Sequence, residues 1–359
     1  MEVINILGLD IGGANTKAAL VKFRNSEIFE SFSVIEYFPF WEKTLNDIPN
    51  MFNRIVENLI IQNHLKLEDL DFISITITAE LSDAFQTKRE GIITILNSLE
   101  QVFEKAKMFF INKNNKFSNL NQVKSDSLSI AAANWVSTSL FLGKFVPNCV
   151  LIDAGSTTID IVPILNSVPV PVGKNDIERL INRELIYTGG LRATIPSITH
   201  FVPYKDKMVR ISFEKFALVS DVHRILNTIS ETEYINDTAD NRSISLDDCY
   251  ARLARILCMD LESISTEELD LIAKFIYDKQ IEIISTDIKV FMDNLTRRIP
   301  DFNQDSKFVI TGLSAEFLIK EVLRKLGYNN IENYEQITNI HDHISSSAFA
   351  VAGAFYFQL

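Results

Sequence analysis

The fold is decided by residues 8–17, Gly8-Leu9-Asp10-Ile11-Gly12-Gly13-Ala14-Asn15-Thr16-Lys17. An apolar run over residues 3–9 leads into this stretch, and a second apolar run over residues 18–23 follows it directly. This order predicts a strand, a tight glycine turn and a returning strand. Glycines permit φ > 0 and let a ligand approach bare N–H groups, which together form a concavity suited to phosphate. A plain hairpin with a polar turn is the alternative interpretation.

The polar residues of this stretch are candidate ligands for a phosphate and its metal ion. Asp10 ends the first strand, where a carboxylate is placed to hold a hydrated Mg²⁺. Lys17 is placed to meet phosphate as a point charge. The candidate phosphate-binding residues are Gly12, Gly13, Asn15, Thr16 and Lys17.

A second stretch repeats the pattern at residues 149–162, whose sequence is CVLIDAGSTTIDIV. Asp153 lies 143 positions after Asp10 (153 − 10) and is again followed by glycine and hydroxyl residues. Two such hairpins at domain-sized spacing predict two similar halves, each giving a carboxylate and a phosphate-binding turn to one cleft. Asp153 is the second candidate metal ligand, and the candidate phosphate-binding residues of this turn are Gly155, Ser156, Thr157 and Thr158.

Composition excludes several classes of protein. The 359 residues are 47% hydrophobic and 23% charged, as in ordinary soluble globular proteins with room for two domains. A net charge of −12 argues against a general nucleic-acid surface, and no leader or long apolar run predicts export or membrane insertion. Three cysteines, Cys149, Cys249 and Cys258, show neither disulfide nor zinc-site spacing and are expected to be buried thiols of a cytoplasmic protein.

Periodicity predicts an α/β order of elements in each half. The first half gives three strands, then helix, strand, helix, strand and helix, which is the order of a ribonuclease-H-like unit. Beyond the hairpin, its predicted elements are strands at 29–37, 71–78 and 107–111 and helices at 43–63, 88–106 and 125–142, the last capped by residues 125–127. The second half is predicted to hold its hairpin, strands at 185–188 and 306–310, and helices at 176–182, 213–226, 246–258, 266–297, 314–326 and 345–357.

These patterns predict two domains. The first comprises residues 1–146 with a returning C-terminal helix over residues 345–359. The second comprises residues 147–344 and includes a helical insertion. The junction is expected at residues 143–148, which contain glycine and proline.

Three further segments carry candidate functional side chains. Residues 78–83 follow a predicted strand, at the end where open α/β sheets place their chemistry, and Glu80 and Asp83 are candidates for a general base or a second metal ligand. Helix capping is the alternative for both, and nearby Lys88 is expected on a solvated helix face. The other candidate substrate-binding residues are Tyr187 and Arg192 in residues 187–192, and Gly312 at a strand-to-helix turn.

The paired hairpins resemble the first and second phosphate motifs of the acetate and sugar kinase/Hsp70/actin superfamily. Within that superfamily, the chain resembles the hydantoinase/oxoprolinase-related archaeal family of tetrahydromethanopterin-linked C1-transfer proteins, which has a member in methanofuran biosynthesis. The resemblance extends from residue 8 to about residue 315 and is carried by residues 8–17, 78–85, 153–160, 176–180, 187–189 and 252–255.

This resemblance implies two ribonuclease-H-like domains around a central cleft and an unusual reaction for that fold. The phenol oxygen of γ-glutamyltyramine would attack the CH₂ of an aminomethylfuranylmethyl diphosphate, forming an aryl ether and releasing diphosphate. The implied roles are Mg²⁺ binding by Asp10 and Asp153, diphosphate binding by Lys17 and both turns, and proton removal by Glu80 or Asp83. Arg192 would meet the glutamyl carboxylate.

Two alternatives remain open. The same turns serve an ATP-dependent small-molecule kinase or a nucleotide-sensing scaffold of the actin or Hsp70 kind. ATP is not expected, because the kinase-type adenosine motif usually has a glycine pair and here Gly312 stands alone before Leu313. The expected partners are small-molecule substrates and a second copy in a homodimer, with no nucleic acid or membrane.

Overall fold

The computed structural model describes residues 3–25, 27–340 and 346–359. Its strands are β1 Ile4–Ile11, β2 Asn15–Arg24, β3 Glu27–Tyr37, β4 Phe72–Ile77, β5 Met108–Ile111, β6 Phe117–Asn119, β7 Cys149–Ala154, β8 Ile159–Leu165, β9 Val168–Pro169, β10 Leu185–Ile186, β11 Phe201–Tyr204, β12 Lys207–Arg210, β13 Phe308–Thr311 and β14 Ile331–Asn333. Its α-helices are α1 Ile48–Ile55, α2 Lys88–Val102, α3 Leu120–Ser125, α4 Asn134–Gly143, α5 Asp176–Ile181, α6 Ile195–Ile198, α7 Val219–Ile225, α8 Leu246–Arg255, α9 Thr266–Arg298, α10 Lys320–Lys325, α11 Tyr334–Thr338 and α12 Ser346–Tyr356.

The chain forms two compact units. Unit 1 holds the described residues of Met1–Cys149, Val162–Arg179 and Tyr334–Leu359, and unit 2 holds Val150–Ile161 and Leu180–Asn333. Residues 162–179 therefore lie in unit 1, whereas the sequence-predicted second domain included them.

The sheet of unit 1 is built outward from its first hairpin. Its order is β3-β2-β1-β4-β5-β6, with β1 antiparallel to β2 and parallel to β4. Alternation in β2 turns Ala18 and Leu20 toward a core that also takes side chains of α1 and α2. Helix α12 packs on β1 and β2, and Gly8 permits its close approach, since a Cβ there would lie 2.1 Å from the Ala348 carbonyl oxygen.

The second sheet repeats this plan. Its order is β10-β8-β7-β13-β14, and β9 pairs with β8. As in unit 1, the first strand of the glycine hairpin is central and has a parallel partner, with Asp153 opposite Thr311 of β13. The predicted α/β class and the ribonuclease-H-like strand order are confirmed.

Unit 2 has its own buried ion-pair network. Arg252 and Asp221 are both fully buried and bond through the Arg252 Nε at 2.8 Å. Asp240, in the loop before α8, accepts from Arg252 at 3.1 Å and from Arg255 at 2.7 Å. These two arginines, three positions apart on α8, fix a polar loop that has no regular structure of its own.

Several predicted elements were wrong in their bounds. The helix predicted at 125–142 begins only at α4, because Asn119 and Gln122 form a reciprocal capping box that starts α3 earlier, and Ala132 has φ of 49°. The helix predicted at 213–226 begins at Val219, because the Asp221 side chain accepts from the Leu218 N–H at 2.9 Å. Residue 345, the predicted start of the last helix, lies outside the described residues.

Two further expectations concern the chain as a whole. Cys149 and Cys249 are buried as predicted, but Cys258 is exposed, because it follows α8 at a turn where its φ is 57°. Among the described residues, each helix is too short or too polar to cross a bilayer.

Gly8→Ala should destabilise the protein by about 1–3 kcal/mol or more, since the new methyl meets backbone rather than a movable side chain. Urea unfolding followed by circular dichroism measures the loss. Gly13→Ala is the matched control in the same hairpin, because its methyl would meet only Ser82 Cβ at 3.6 Å. Equal stability of the two variants would contradict the close approach of α12.

Candidate functional site

The first glycine turn, residues 12–16, is held by its carbonyl groups. The Phe40 N–H donates to Gly13 O at 3.0 Å, and the Phe38 N–H donates to Ala14 O at 2.9 Å. In a trans peptide the C=O and the following N–H point in opposite directions, and every described peptide here is trans. The N–H groups of Ala14 and Asn15 therefore point away from the bonded segment. Their direction suits an anion.

The first turn needs glycine at position 12 because other backbone atoms of the turn lie close to it, and not because its backbone is left-handed. Among the described glycines only Gly312 and Gly327 have positive φ, so the glycines of the two turns do not use the φ > 0 that glycine permits. Gly12 donates its N–H to Asn15 O at 3.1 Å, and a Cβ on Gly12 would lie 2.7 Å from that oxygen. A side chain at position 12 would force the turn apart.

Asp10, the last residue but one of β1, carries a buried carboxylate. It is 6% exposed, accepts from the Ser347 hydroxyl of α12, and lies 3.9 Å from Lys17 Nζ. Its Oδ1 is buried without a hydrogen-bond partner among the residues that the structure describes. A buried oxygen of this kind fits a hard cation. Sequence analysis missed Ser347, which no local spacing connects to Asp10.

The two polar residues after Asn15 point in different directions. Thr16 is fully buried, and its hydroxyl donates to the Met51 sulfur at 3.3 Å, which leaves only its backbone for a phosphate. Lys17 is 32% exposed and directly opposite Asp10 in the hairpin. Lys17 therefore remains an accessible cation beside the buried carboxylate.

The Glu80 segment, residues 78–83, adjoins the first glycine turn. The Thr78 N–H donates to Ile11 O at 2.8 Å, and a Cβ placed on Gly13 would have Ser82 Cβ as its nearest neighbour, at 3.6 Å. These contacts continue the parallel pairing of β1 with β4 past the ends of both strands. The turn and the segment thus form one locality within unit 1.

Glu80 is the buried acid of this locality. Only 1% of it is exposed, and its Oε2 has no hydrogen-bond partner within the described part of the chain. Burial raises the pKa of Glu80 to about 7, against the opposing effect of Lys88, whose Nζ lies 4.0 Å from Oε1. Asp83, the other candidate base, is exposed. A carboxyl with a pKa near neutrality is the better general base of the two.

The second glycine turn, residues 155–158, is also held by its carbonyl groups. The donors are the N–H groups of residues 189–192, a segment that follows β10. The bonds are Gly189 N to Thr157 O at 2.9 Å, Gly190 N to Gly155 O at 3.0 Å, Leu191 N to Ser156 O at 3.0 Å and Arg192 N to Ser156 O at 3.1 Å. By the same peptide geometry, the N–H groups of Ser156, Thr157 and Thr158 point away from this segment.

Asp153 and the Gly312 turn meet at the end of β7. Gly312 has φ of +91°, and a Cβ there would lie 2.5 Å from Ala154 O and 2.7 Å from Asp153 Oδ1. The Ser314 hydroxyl donates to Ala154 O at 2.9 Å. The structure therefore brings Asp153, the second glycine turn and Gly312 together within unit 2.

Buried polar side chains contact the segment that hydrogen-bonds to the second turn. Gln280 of α9 donates through Nε2 to Thr188 Oγ1 at 3.1 Å and to Gly189 O at 3.0 Å. Its Oε1 lies 3.1 Å from His223 Nε2, so this ring nitrogen carries the donated proton. Burial lowers the pKa of His223 to about 3 and keeps the ring neutral. Sequence analysis missed both residues, because the chain separates them from the turn.

The remaining candidates lie at the surface of unit 2. Tyr187 is 64% exposed and Arg192 is exposed, although the Arg192 backbone N–H donates to Ser156 O. No group of three or more His, Cys, Asp or Glu able to hold a metal ion occurs among the described residues. A cation at Asp10 or Asp153 would therefore take further ligands from phosphate and water.

The sequence model of the family described as hydantoinase/oxoprolinase matches residues 71–358. The chain belongs to the hydantoinase/oxoprolinase family. A Methanocaldococcus jannaschii protein named (4-{4-[2-(gamma-L-glutamylamino)ethyl]phenoxymethyl}furan-2-yl)methanamine synthase is 33% identical over 359 residues, covering 99% of each chain. A Methanococcus vannielii protein of the same name is 34% identical over 183 residues, covering 51% of this chain and 78% of that one.

The predicted fold is shared with a solved structure of another protein. Acetone carboxylase, in a nucleotide-free structure from a study of ATP-dependent acetone carboxylation, aligns with a TM-score of 0.53. The alignment covers 98% of this chain and 70% of that one at 11% identity, which shows a shared fold alone. The family members named above are synthases, so the relatives of this chain are enzymes.

Glu80→Gln should stabilise the protein increasingly as pH rises. Because the pKa of Glu80 is raised from 4.5 to about 7, the stability linked to its proton is present below pH 4.5 and lost as pH rises through about 7. The neutral amide avoids that loss, so the variant should gain up to about 3 kcal/mol over the wild type between acidic and mildly alkaline pH. Urea unfolding across this range measures it. Asp83→Asn, which removes an exposed carboxylate, should show no comparable gain.

Gln280→Leu should lower the unfolding midpoint, since it leaves Gly189 O and the His223 ring without their partner. Each unsatisfied buried group costs about 1–3 kcal/mol. Gln280→Glu should cost at least as much, because a carboxylate still accepts from His223 but cannot donate to Gly189 O and places a charge at a buried position. Lys279→Met, one position away in an exposed ion pair, is the control and should change stability by less than about 1 kcal/mol. Thermal unfolding of the three variants tests this order.

Proposed function

We propose that this chain is an alkyl-transferring enzyme of methanofuran biosynthesis. It would join an aminomethylfuranylmethyl diphosphate to γ-glutamyltyramine and release diphosphate. The observation that carries the proposal is the relative that is 33% identical over 99% of both chains. The name of that relative describes a product in which a phenol oxygen is bonded to the methylene of a furan. Small-molecule substrates follow from the same name.

The reaction requires a base for the phenol proton. The phenol O–H bond breaks, its oxygen bonds to the furan methylene, and the methylene–oxygen bond to diphosphate breaks, with its electron pair leaving on diphosphate. A phenol has a pKa of about 10, so a base or cation at its oxygen speeds attack at neutral pH. Glu80 would take the proton, because burial gives it the raised pKa that this role needs.

The leaving diphosphate requires donors and positive charge. Both glycine turns present N–H groups away from their bonded segments, and Lys17 adds an accessible ammonium in unit 1. Preorganised donors of this kind stabilise charge as it develops on a leaving group. Asp10 and Asp153 would hold Mg²⁺, for which the spare buried oxygen of Asp10 is suited. When bound, Mg²⁺ neutralises diphosphate charge.

Substrate recognition would involve the exposed residues among 187–192, a range that includes the segment bonded to the second glycine turn. The guanidinium of Arg192 is suited to the glutamyl carboxylate, because its planar fork binds carboxylates through two parallel bonds. Tyr187 offers an exposed ring beside it. Both residues are candidates for substitution once turnover is measured.

The purified protein, given the furan diphosphate, γ-glutamyltyramine and Mg²⁺, should release diphosphate and form the ether, detected by mass spectrometry. Glu80→Gln should lower kcat by about 10²–10⁴-fold, as expected for loss of a general base. Lys17→Met should raise KM for the diphosphate. Lys22→Met is the matched control on the same strand, because Lys22 pairs with Glu30 at 2.6 Å.

Absence of ether with verified substrates and folded protein would refute the proposal. ADP formation with a small-molecule acceptor would instead identify an ATP-dependent kinase, which the same turns permit. Thermal shift assays separate the two before any product is made. With Mg²⁺, diphosphate should stabilise the alkyl transferase, whereas ATP should stabilise the kinase, because ligands stabilise the state that they bind.

A further inference from the structure

Lys88 lies between two carboxylates of unit 1. Its ammonium donates to Asp176 Oδ2 at 2.6 Å and lies 4.0 Å from Glu80 Oε1. The side chains of Lys88 and Asp176 are each 29% exposed, whereas that of Glu80 is 1% exposed. The Lys88 ammonium therefore lies near both a buried carboxylate, Glu80, and a more accessible one, Asp176. It is closer to Asp176.

Asp176 is held in place by the anchoring of α5. Arg179, one helical turn further on, is buried, and its guanidinium stacks over the Trp135 ring at 4.7 Å. At the start of the helix, Glu178 accepts from the Lys174 N–H at 2.7 Å. The helix that carries Asp176 therefore has a second contact within unit 1, at Trp135, besides the bond of Asp176 to Lys88.

Three charged groups act on Glu80 in this locality. Lys88 and Lys113 favour its ionised form, and Asp176 opposes it. Lys113 donates to Leu128 O at 3.0 Å, and burial, with Lys88 second, lowers the pKa of Lys113. Lys88 is the cation that lies 4.0 Å from Glu80, and its hydrogen bond goes to Asp176 instead.

We propose that Lys88 and Asp176 are positioning residues that set the proton affinity of Glu80 in opposite directions. Lys88 supports the ionised carboxylate, and Asp176 weakens that support by binding the ammonium and by adding a second negative charge. The Glu80 base would thereby keep a proton affinity close to neutrality. The catalytic consequence rests on the proposed function, but the effect on the Glu80 proton does not.

Neutral substitutions of Lys88 and Asp176 should shift the pH at which Glu80 ionises in opposite directions. Lys88→Met removes the cation and should raise the pH at which Glu80 ionises by about one unit or more, as expected for an opposite charge at this distance. Asp176→Asn removes the competing acceptor and should lower that pH. Asp176→Glu keeps the charge and should restore the wild-type behaviour. A merely structural ion pair would leave the ionisation of Glu80 unchanged in both neutral variants.

The ionisation of Glu80 is measured without substrate. In each background, the free energy of unfolding is compared between the Glu80 and Glu80→Gln proteins across pH. The difference changes between the unfolded-state and native-state pKa values of Glu80, so its midpoint moves in the same direction as the native-state value. This subtraction cancels any general loss of stability from weaker docking of α5. Lys22→Met, which breaks a surface pair of equal length, is the control and should leave the midpoint unchanged.

The acidic limb of kcat/KM should then move in the same directions as these midpoints. If both variants move the midpoint the same way, or neither moves it, the proposal is overturned. If the midpoints separate as expected but no ether forms, the roles of Lys88 and Asp176 stand and the proposed reaction fails. Each variant is informative alone, so failure of one to fold leaves the other as the test.

Discussion

The two glycine turns depend on where their carbonyl groups find hydrogen bonds. Carbonyl groups that are partly removed from water need hydrogen bonds, and each turn finds them in the segment that follows the strand paired with the second strand of its hairpin. In unit 1 that segment contains Phe38 and Phe40 after β3, and in unit 2 it is residues 189–192 after β10. Two unrelated sequences thus solve the same problem at the same topological position. Because the peptide is planar, the next N–H groups point away from the bonded segment, which is the orientation that the proposed binding of an anion requires.

The proton affinity of Glu80 is decided by a competition between burial and charge. Gly91 lets the first turn of α2 approach the Glu80 backbone, since a Cβ there would lie 2.8 Å from Glu80 Cα. That approach removes the carboxylate from water, at a cost of several kcal/mol for a charged group. Lys88 at 4.0 Å returns about 4 kcal/mol at most near a protein surface, and Asp176 shares it. Burial therefore prevails, and the carboxyl stays weakly acidic.

Local pattern was sufficient to predict the hairpins and the order of elements along the chain, because each depends on residues close in sequence, and the short motifs were sufficient to predict the family. Local pattern did not predict contacts between residues that are distant in sequence. Ser347 bonds Asp10 across 337 positions, and Gln280 bonds Thr188 across 92, so no spacing rule connects them. Lys88 was interpreted as a solvated helix residue, because its partner Asp176 lies on a helix that only the folded chain brings near. The fold was thus more predictable than the electrostatics of the candidate site.

Gly312 shows why a glycine at a strand-to-helix turn is weak evidence for a nucleotide-binding site. Its left-handed backbone and the 2.5 Å approach of Ala154 O to its would-be Cβ already require glycine at this position. Ser314 uses its hydroxyl on Ala154 O rather than presenting it to a ligand. Both residues are therefore explained by how β13 turns over the end of β7, with no adenosine needed.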